Sequence, residues 1–323
     1  MPITIPDGLP AKGILEDERI FALEEDVASK QHIRPLSIVL VNLMPKKIET
    51  ETQFLRLISK SPIQVRMEFM NMSSHQSHNT PADHLVKFYQ TFDELRDRKY
   101  DGMIITGAPV EQMPFEDVDY WDELCRVLDW SRENVFSTIH VCWGALAGLY
   151  HTWGVRKHDL PEKLFGVFQT HLGDEYQFLT NGFDEVFLMP HSRHAGFVEE
   201  DLRRVDELET LAYGDATGSS IVATKDLRQI YITGHMEYTK YTLRDEYERD
   251  LSGGKAIKKP QGYYPQCDPA QTPVFSWRSH ANLLYRNWLN YVYQMTPFDP
   301  AEISASYEGY RYNERIWHVG AHR

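Results

Sequence analysis

One cysteine of this chain sits where a strand hands over to a helix. Val135-Phe136-Ser137-Thr138-Ile139-His140-Val141 ends on Cys142, and Trp143-Gly144-Ala145-Leu146-Ala147 follows as helix-forming sequence. That arrangement is a nucleophile elbow: a sharp turn exposes the side chain, and Gly144 and Ala145 let helix and strand approach closely. The positive end of the helix dipole also favours a thiolate, lowering the thiol pKa below about 8.5. His140 stands where the strict elbow pattern has glycine. The residues alone therefore leave a second reading open, that of a small buried hydrophobe. Cys125, beside Leu124 and Val127 in a helical stretch, and Cys267, in a Pro- and Gly-containing loop, read as bland.

A nucleophilic thiol needs a base, and the base needs an orienting group. Of fourteen histidines only His235 has an acid two positions on, Glu237, and the pair follows the strand-like Gln229-Ile230-Tyr231-Ile232-Thr233. In an extended segment positions i and i+2 point the same way, so Glu237 would hold the His235 tautomer. A solvated surface pair would look the same in isolation. Its place after a buried strand, at the sheet edge that carries Cys142, raises its weight.

The elements that must position these groups follow from hydrophobic period. Ser37–Val41, Gln64–Met70, Tyr100–Thr106 and Val135–Val141 are short apolar runs without strict alternation, as in strands covered on both faces. Helical stretches are expected at Ile48–Ser59, Ala82–Arg98 and Asp117–Trp130. Alternating units of this kind predict an α/β fold with a doubly wound, mostly parallel, flavodoxin-like sheet. Further on, Ser219–Ala223 and Gln229–Thr233 read as a hairpin about Lys225-Asp226, and Thr239–Asp250 and Ser279–Met295 as helices. A short polar helix is expected near Asp17–Lys30. With no linker or repeat, we expect an N-terminal arm (1–34), one α/β domain (35–297) and a C-terminal tail (298–323).

Composition narrows the function. The 323 residues are 42% hydrophobic and 25% charged, enough for a substantial core. Forty-seven acidic against 34 basic residues give a net charge of −13, which argues against nucleic-acid or anionic-membrane partners. The sequence shows no signal peptide, transmembrane run or disulfide framework, so a reducing cytoplasm is expected. His75 with His78, and His191 with His194, lack the neighbours of a metal site, and no metal is expected. Ser252-Gly253-Gly254-Lys255 lacks a phosphate-loop frame. Lys46-Lys47 lies at the sheet edge where α/β folds bind ligands and reads equally as a coenzyme contact or a solvated loop.

The elbow cysteine and His-x-Glu on a doubly wound sheet resemble class I glutamine amidotransferases. The chain more closely resembles the homoserine O-acyltransferase family of methionine biosynthesis, which shares that fold. The match runs from PITIPDGLPAKGILEDE through VNLMPKKIETETQFLRLI, TGAPVE, VCWGALAGLYH, GVF, PHSRH and GHMEY to the late GGK. The resemblance implies Cys142 as acyl-accepting nucleophile, His235 as base and Glu237 as its orienter. It places homoserine contacts at Lys163, Ser192 and Arg249, implies a homodimer, and makes position 111 the selector of acyl donor. Glu there goes with acetyl-CoA and Gly with succinyl-CoA; this chain has Glu111. A succinyl carboxylate about 4 Å from Glu111 would be repelled by ~1 kcal/mol in water and ~4 kcal/mol at an effective dielectric of 20.

The expected reaction is ping-pong transfer from acetyl-CoA, a co-substrate, to L-homoserine through an acyl-thioester. No cofactor is called for. Alternatives are a succinyl donor, a serine acceptor, a glutaminase with the same triad, or a binding protein with an inert thiol. Without the resemblance Lys163 reads as an exposed lysine, Ser192 as a turn residue in a polar loop, and Arg249 as a surface partner of Asp245.

Overall fold

A strand covered by helices on both faces must bury both of its own, which favours β-branched apolar residues. The computed structural model describes residues 3–17, 22–25, 34–75, 79–173 and 178–304. Twelve strands among them form one sheet: β1 (Ile3–Ile5), β2 (Ala22–Glu24), β3 (Leu36–Val41), β4 (Val65–Met70), β5 (Tyr89–Gln90) and β6 (Tyr100–Ile105) come first. Then come β7 (Val135–Val141), β8 (Lys157–Leu172), β9 (Val186–Phe197), β10 (Leu208–Gly214), β11 (Gly218–Thr224) and β12 (Gln229–Ile232). The spatial order is β2-β1-β4-β3-β6-β7-β12-β11-β10-β8-β9, with β5 beside β4. Pairing is parallel from β2 to β12 and antiparallel from β12 to β9.

The helices are α1 (Ala11–Asp17), α2 (Lys47–Ile58), α3 (Ala82–Phe88), α4 (Phe92–Leu95), α5 (Trp121–Asn134), α6 (Trp143–Trp153), α7 (Glu199–Leu202), α8 (Thr242–Ser252) and α9 (Arg278–Met295). Strand alternation divides the core in two. Ile38 and Leu40 of β3 join Phe54, Leu55 and Trp288 of α2 and α9, while Val39 and Val41 join Leu124, Leu128 and Leu146 of α5 and α6. Helices thus cover both faces of the parallel half, as the doubly wound reading requires.

Three local expectations are corrected. The helix expected over 82–98 is interrupted at Tyr89-Gln90, which pair with β4 as β5. Tyr89 is drawn inward there, donating its hydroxyl to Glu51 at 2.8 Å, and the Thr91–Glu94 capping box starts α4 afresh. The helix expected at 117–130 is shifted to 121–134 behind a turn at Phe115–Asp117. His191, Ser192 and His194 lie in β9, paired with β8, and not in a polar loop. The N-terminal segment contributes β1 to the main sheet, parallel to β4. Most of the helix expected at 17–30 lies outside the described residues, as does His78 and the tail beyond 304.

Candidate active site

Strand β7 delivers Cys142 in a backbone conformation that non-glycine residues rarely adopt, φ 51° and ψ −115°. Such strain costs about 1–3 kcal/mol and persists only where surrounding structure enforces it. Here the Cys142 N–H is held by the Ile232 carbonyl at 2.7 Å, and the Cys142 carbonyl accepts from Ala145 at 3.0 Å as α6 begins. A Cβ at Gly144 would lie 2.6 Å from the Thr106 carbonyl oxygen, so only glycine lets α6 start this close to β6. The elbow forms although His140 replaces the pattern's first glycine. That imidazole is buried beneath it, bonded to Gln229 at 2.9 Å and stacked on Tyr231. Burial pushes its pKa down to about 4, so it stays neutral.

His235 and Glu237 come together as expected, by a different local route. They lie on a turn after β12, closed by Tyr238 N–H donating to the His235 carbonyl at 3.3 Å, rather than on extended chain. His235 Nδ1 sits 2.7 Å from Glu237 Oε1, and both side chains are buried. Gly107, just beyond β6, shows how Cys142 joins them: a Cβ there would be 3.7 Å from both Cys142 Sγ and His235 Cε1. Burial opposes the imidazolium, but the charges of Cys142 and Glu237 outweigh it and hold His235 well above its ordinary range. The site thus favours the imidazolium form of His235. The Tyr238 ring stacks on the imidazole, centroids 4.1 Å apart at 12°, a partner the sequence reading did not single out.

Lys163, Ser192 and Arg249 come together around a carboxylate that sequence reasoning missed. Glu246 of α8 accepts from Lys163 Nζ of β8 at 2.5 Å and from Ser192 Oγ of β9 at 2.8 Å. Arg249 lies 3.9 Å from Glu246 and bonds Asp250 at 2.9 Å; its expected surface partner, Asp245, is taken by Arg244. Lys163 is largely covered, lying over the Phe165 ring, and Ser192 is buried, so neither is the exposed or turn residue that sequence alone suggests.

Glu111 projects into the same space. Its carboxylate accepts from the His194 N–H, and its backbone carbonyl from Lys157 at 2.6 Å. Burial raises its pKa, against the pull of the His194 N–H and the charges of His194, His235 and Lys163. Arg193, also missed, is buried with its guanidinium on the carbonyls of Ala195 and Thr217, and its charge faces Cys142 and Glu111. Cys125 is half-buried, and burial with nearby acids pushes its thiol up to about 11. Cys267 is exposed in a turn. No group of three or more potential metal ligands occurs among the described residues.

Comparison with known proteins bears on this geometry. The family model described as homoserine O-succinyltransferase matches residues 2–298. The chain belongs to that family. Family relatives named homoserine O-acetyltransferase include one from Bifidobacterium adolescentis, 57% identical over 94% of this chain and 88% of that protein. Another, from Desulfitobacterium hafniense, is 56% identical over 94% and 99%, and one from Acetivibrio thermocellus is 53% identical over 94% and 100%. A solved glutamine amidotransferase from Thermotoga maritima superposes with TM-score 0.52 at 9% identity, over 80% of this chain and 99% of that one. At that identity it shows the fold alone, and the expected amidotransferase-like architecture holds. No described helix is long and apolar enough to cross a membrane.

Proposed function

We propose that the chain is a homoserine O-acetyltransferase using acetyl-CoA and L-homoserine, with Cys142 carrying the acetyl group between them. The observation that carries the reading is the triad: a strained elbow cysteine faces a buried His235–Glu237 pair 2.7 Å apart. The relatives' name supplies the substrates. The Cys142 thiolate attacks the thioester carbonyl carbon, the carbon–sulfur bond to CoA breaks, and the departing thiolate takes the His235 proton. Neutral His235 then accepts the hydroxyl proton of homoserine as that oxygen attacks acetyl-Cys142. Ester formation returns the thiolate and the imidazolium. The Trp143 N–H, first of α6, is assigned to the oxyanion.

Lys163, Ser192 and Arg249 are assigned to homoserine, a zwitterion, with a guanidinium suited to its carboxylate. Glu246, which already gathers Lys163 and Ser192, complements its ammonium. Glu111 is assigned to donor choice. Its carboxylate stands within the electrostatic reach of His235 and Lys163, where a succinyl carboxylate would meet it. The proposal includes the homodimer and the cytoplasm of the sequence reading; sedimentation as a monomer would remove the former. Crossing acetyl- and succinyl-CoA with homoserine and serine tests the whole. Highest kcat/KM is expected for acetyl-CoA with homoserine, and Glu111→Gly is expected to move preference toward succinyl-CoA. A wild-type preference for succinyl-CoA would overturn the role of Glu111.

A further inference from the structure

An acidic chain that takes an anionic thioester must gather positive charge somewhere, and two cavities along α2 do so. One, ≈480 Å³, is lined by Lys46, Arg56 and Thr239 among others. The second, ≈460 Å³, shares Arg56 and Thr239 and adds Lys60, Lys240, Arg278 and the triad acid Glu237. Five cations, with buried Lys47 set aside because its ammonium is spent on the carbonyls of Asn42 and Met44, line these cavities with two acids, Glu49, which pairs with Lys46 at 3.9 Å, and Glu237. Glu237 is itself committed to His235. The chain as a whole has the opposite balance, 34 basic to 47 acidic residues.

Three of these cations have no acid partner among the described residues. Among the described residues Lys60 has no ion pair, and Lys240 and Arg278 lie only over the rings of Tyr241 and Phe275. Between Lys46 and Lys60, which flank it, α2 runs roughly 18 Å at about 1.5 Å per residue. The groove is therefore long, and its inner wall, Glu237-Tyr238-Thr239, is the segment that carries and stacks on the catalytic base.

We infer that this groove binds the phosphates of the acyl-CoA donor, holding the phosphorylated end along α2 while the thioester reaches Cys142. Lys and Arg pair with phosphate oxygens through charge-assisted hydrogen bonds, and the exposed setting makes the attraction sensitive to salt. The inference rests on the proposed acetyl transfer, and the experiment separates the two. Lys60→Glu, Lys240→Glu and the combined Lys60→Glu/Arg278→Glu enzymes are compared with wild type. The readouts are calorimetric binding of CoA and acetylation of homoserine from acetyl-CoA or from acetyl-N-acetylcysteamine, a donor without phosphates.

The expected result is weaker CoA binding and an acetyl-CoA KM raised about tenfold or more in the double variant. Turnover of the phosphate-free donor should be unchanged, and wild-type KM for acetyl-CoA alone should rise with salt. Unchanged CoA binding in every variant, or equal losses with both donors, would overturn the groove. Wild-type enzyme that binds CoA through these residues yet acetylates homoserine from neither donor would instead overturn the acetyltransferase reading.

Discussion

At the scale of single residues, the site depends on charges kept where water would not favour them. Cys142 and Glu237 hold His235 cationic against burial, and Tyr238 covers one imidazole face at 4.1 Å. A ring stacked on an imidazolium supplies both orientation and cation–π attraction. Tyr238→Phe is therefore expected to keep kcat and its pH profile. Tyr238→Leu is expected to lower kcat about tenfold, worth ~1.4 kcal/mol, and to displace the acid limb of the profile while homoserine KM changes little. Equal behaviour of the two variants would remove the stacking role. Glu111 works in the opposite sense. Burial raises its carboxyl, so the ionised form is the costly one in the folded chain. The stability this group contributes is complete below the unfolded carboxylate pKa and is lost as pH rises through the folded value. Glu111→Gln should accordingly raise Tm near neutrality, with the gain fading in mild acid; a uniform loss of Tm would contradict it. Discrimination against succinyl-CoA should also weaken as pH falls and Glu111 becomes neutral.

At the scale of elements, the central parallel strands β3, β4, β6 and β7 were legible as apolar runs, whereas β1, β2 and β5 of the same half were not expected. Ser37–Val41, Val135–Val141 and Ser279–Met295 fall within a residue of β3, β7 and α9. The antiparallel half was harder to read. Strand β8 carries Pro161, Glu162 and Lys163, and exposes much of its first half, so no regular alternation marks it. Its pairing with β9 nevertheless brings Phe165 opposite Ser192, near Lys163. Glu246 was missed for a related reason: its partners lie 83 and 54 positions away, and no local pattern announces them. The break at Tyr89 was likewise set by a distant carboxylate, Glu51. Helix α9 offers the cleanest stability test. Trp288 is fully buried, donates to Ser137 Oγ at 3.0 Å, and packs where a Cβ on Gly102 would be 2.8 Å away. Trp288→Ala should cost about 3–5 kcal/mol in urea denaturation; a loss under ~1 kcal/mol would mean that the helix is not anchored there.

For the whole molecule, one sheet unites two functions of shape. Its parallel half presents Cys142 and the Gly107 loop at neighbouring strand ends, and its antiparallel half carries Lys163 on β8 and Ser192 on β9. Cys142 with His235 and Glu237 was legible as two short motifs at that edge, whereas the cluster of Lys163, Ser192 and Glu246 emerged only once β8, β9 and α8 were folded together. The net charge of −13 sharpens the contrast with the cationic groove along α2. The central claim is that Cys142 itself carries the acetyl group. Wild-type protein mixed with acetyl-CoA alone, quenched in acid and weighed intact is expected to gain one acetyl group, mapped to Cys142 and absent in Cys142→Ala. Wild-type protein that acetylates homoserine at full rate yet never shows that adduct, under quenching fast enough to outrun hydrolysis, would contradict the account.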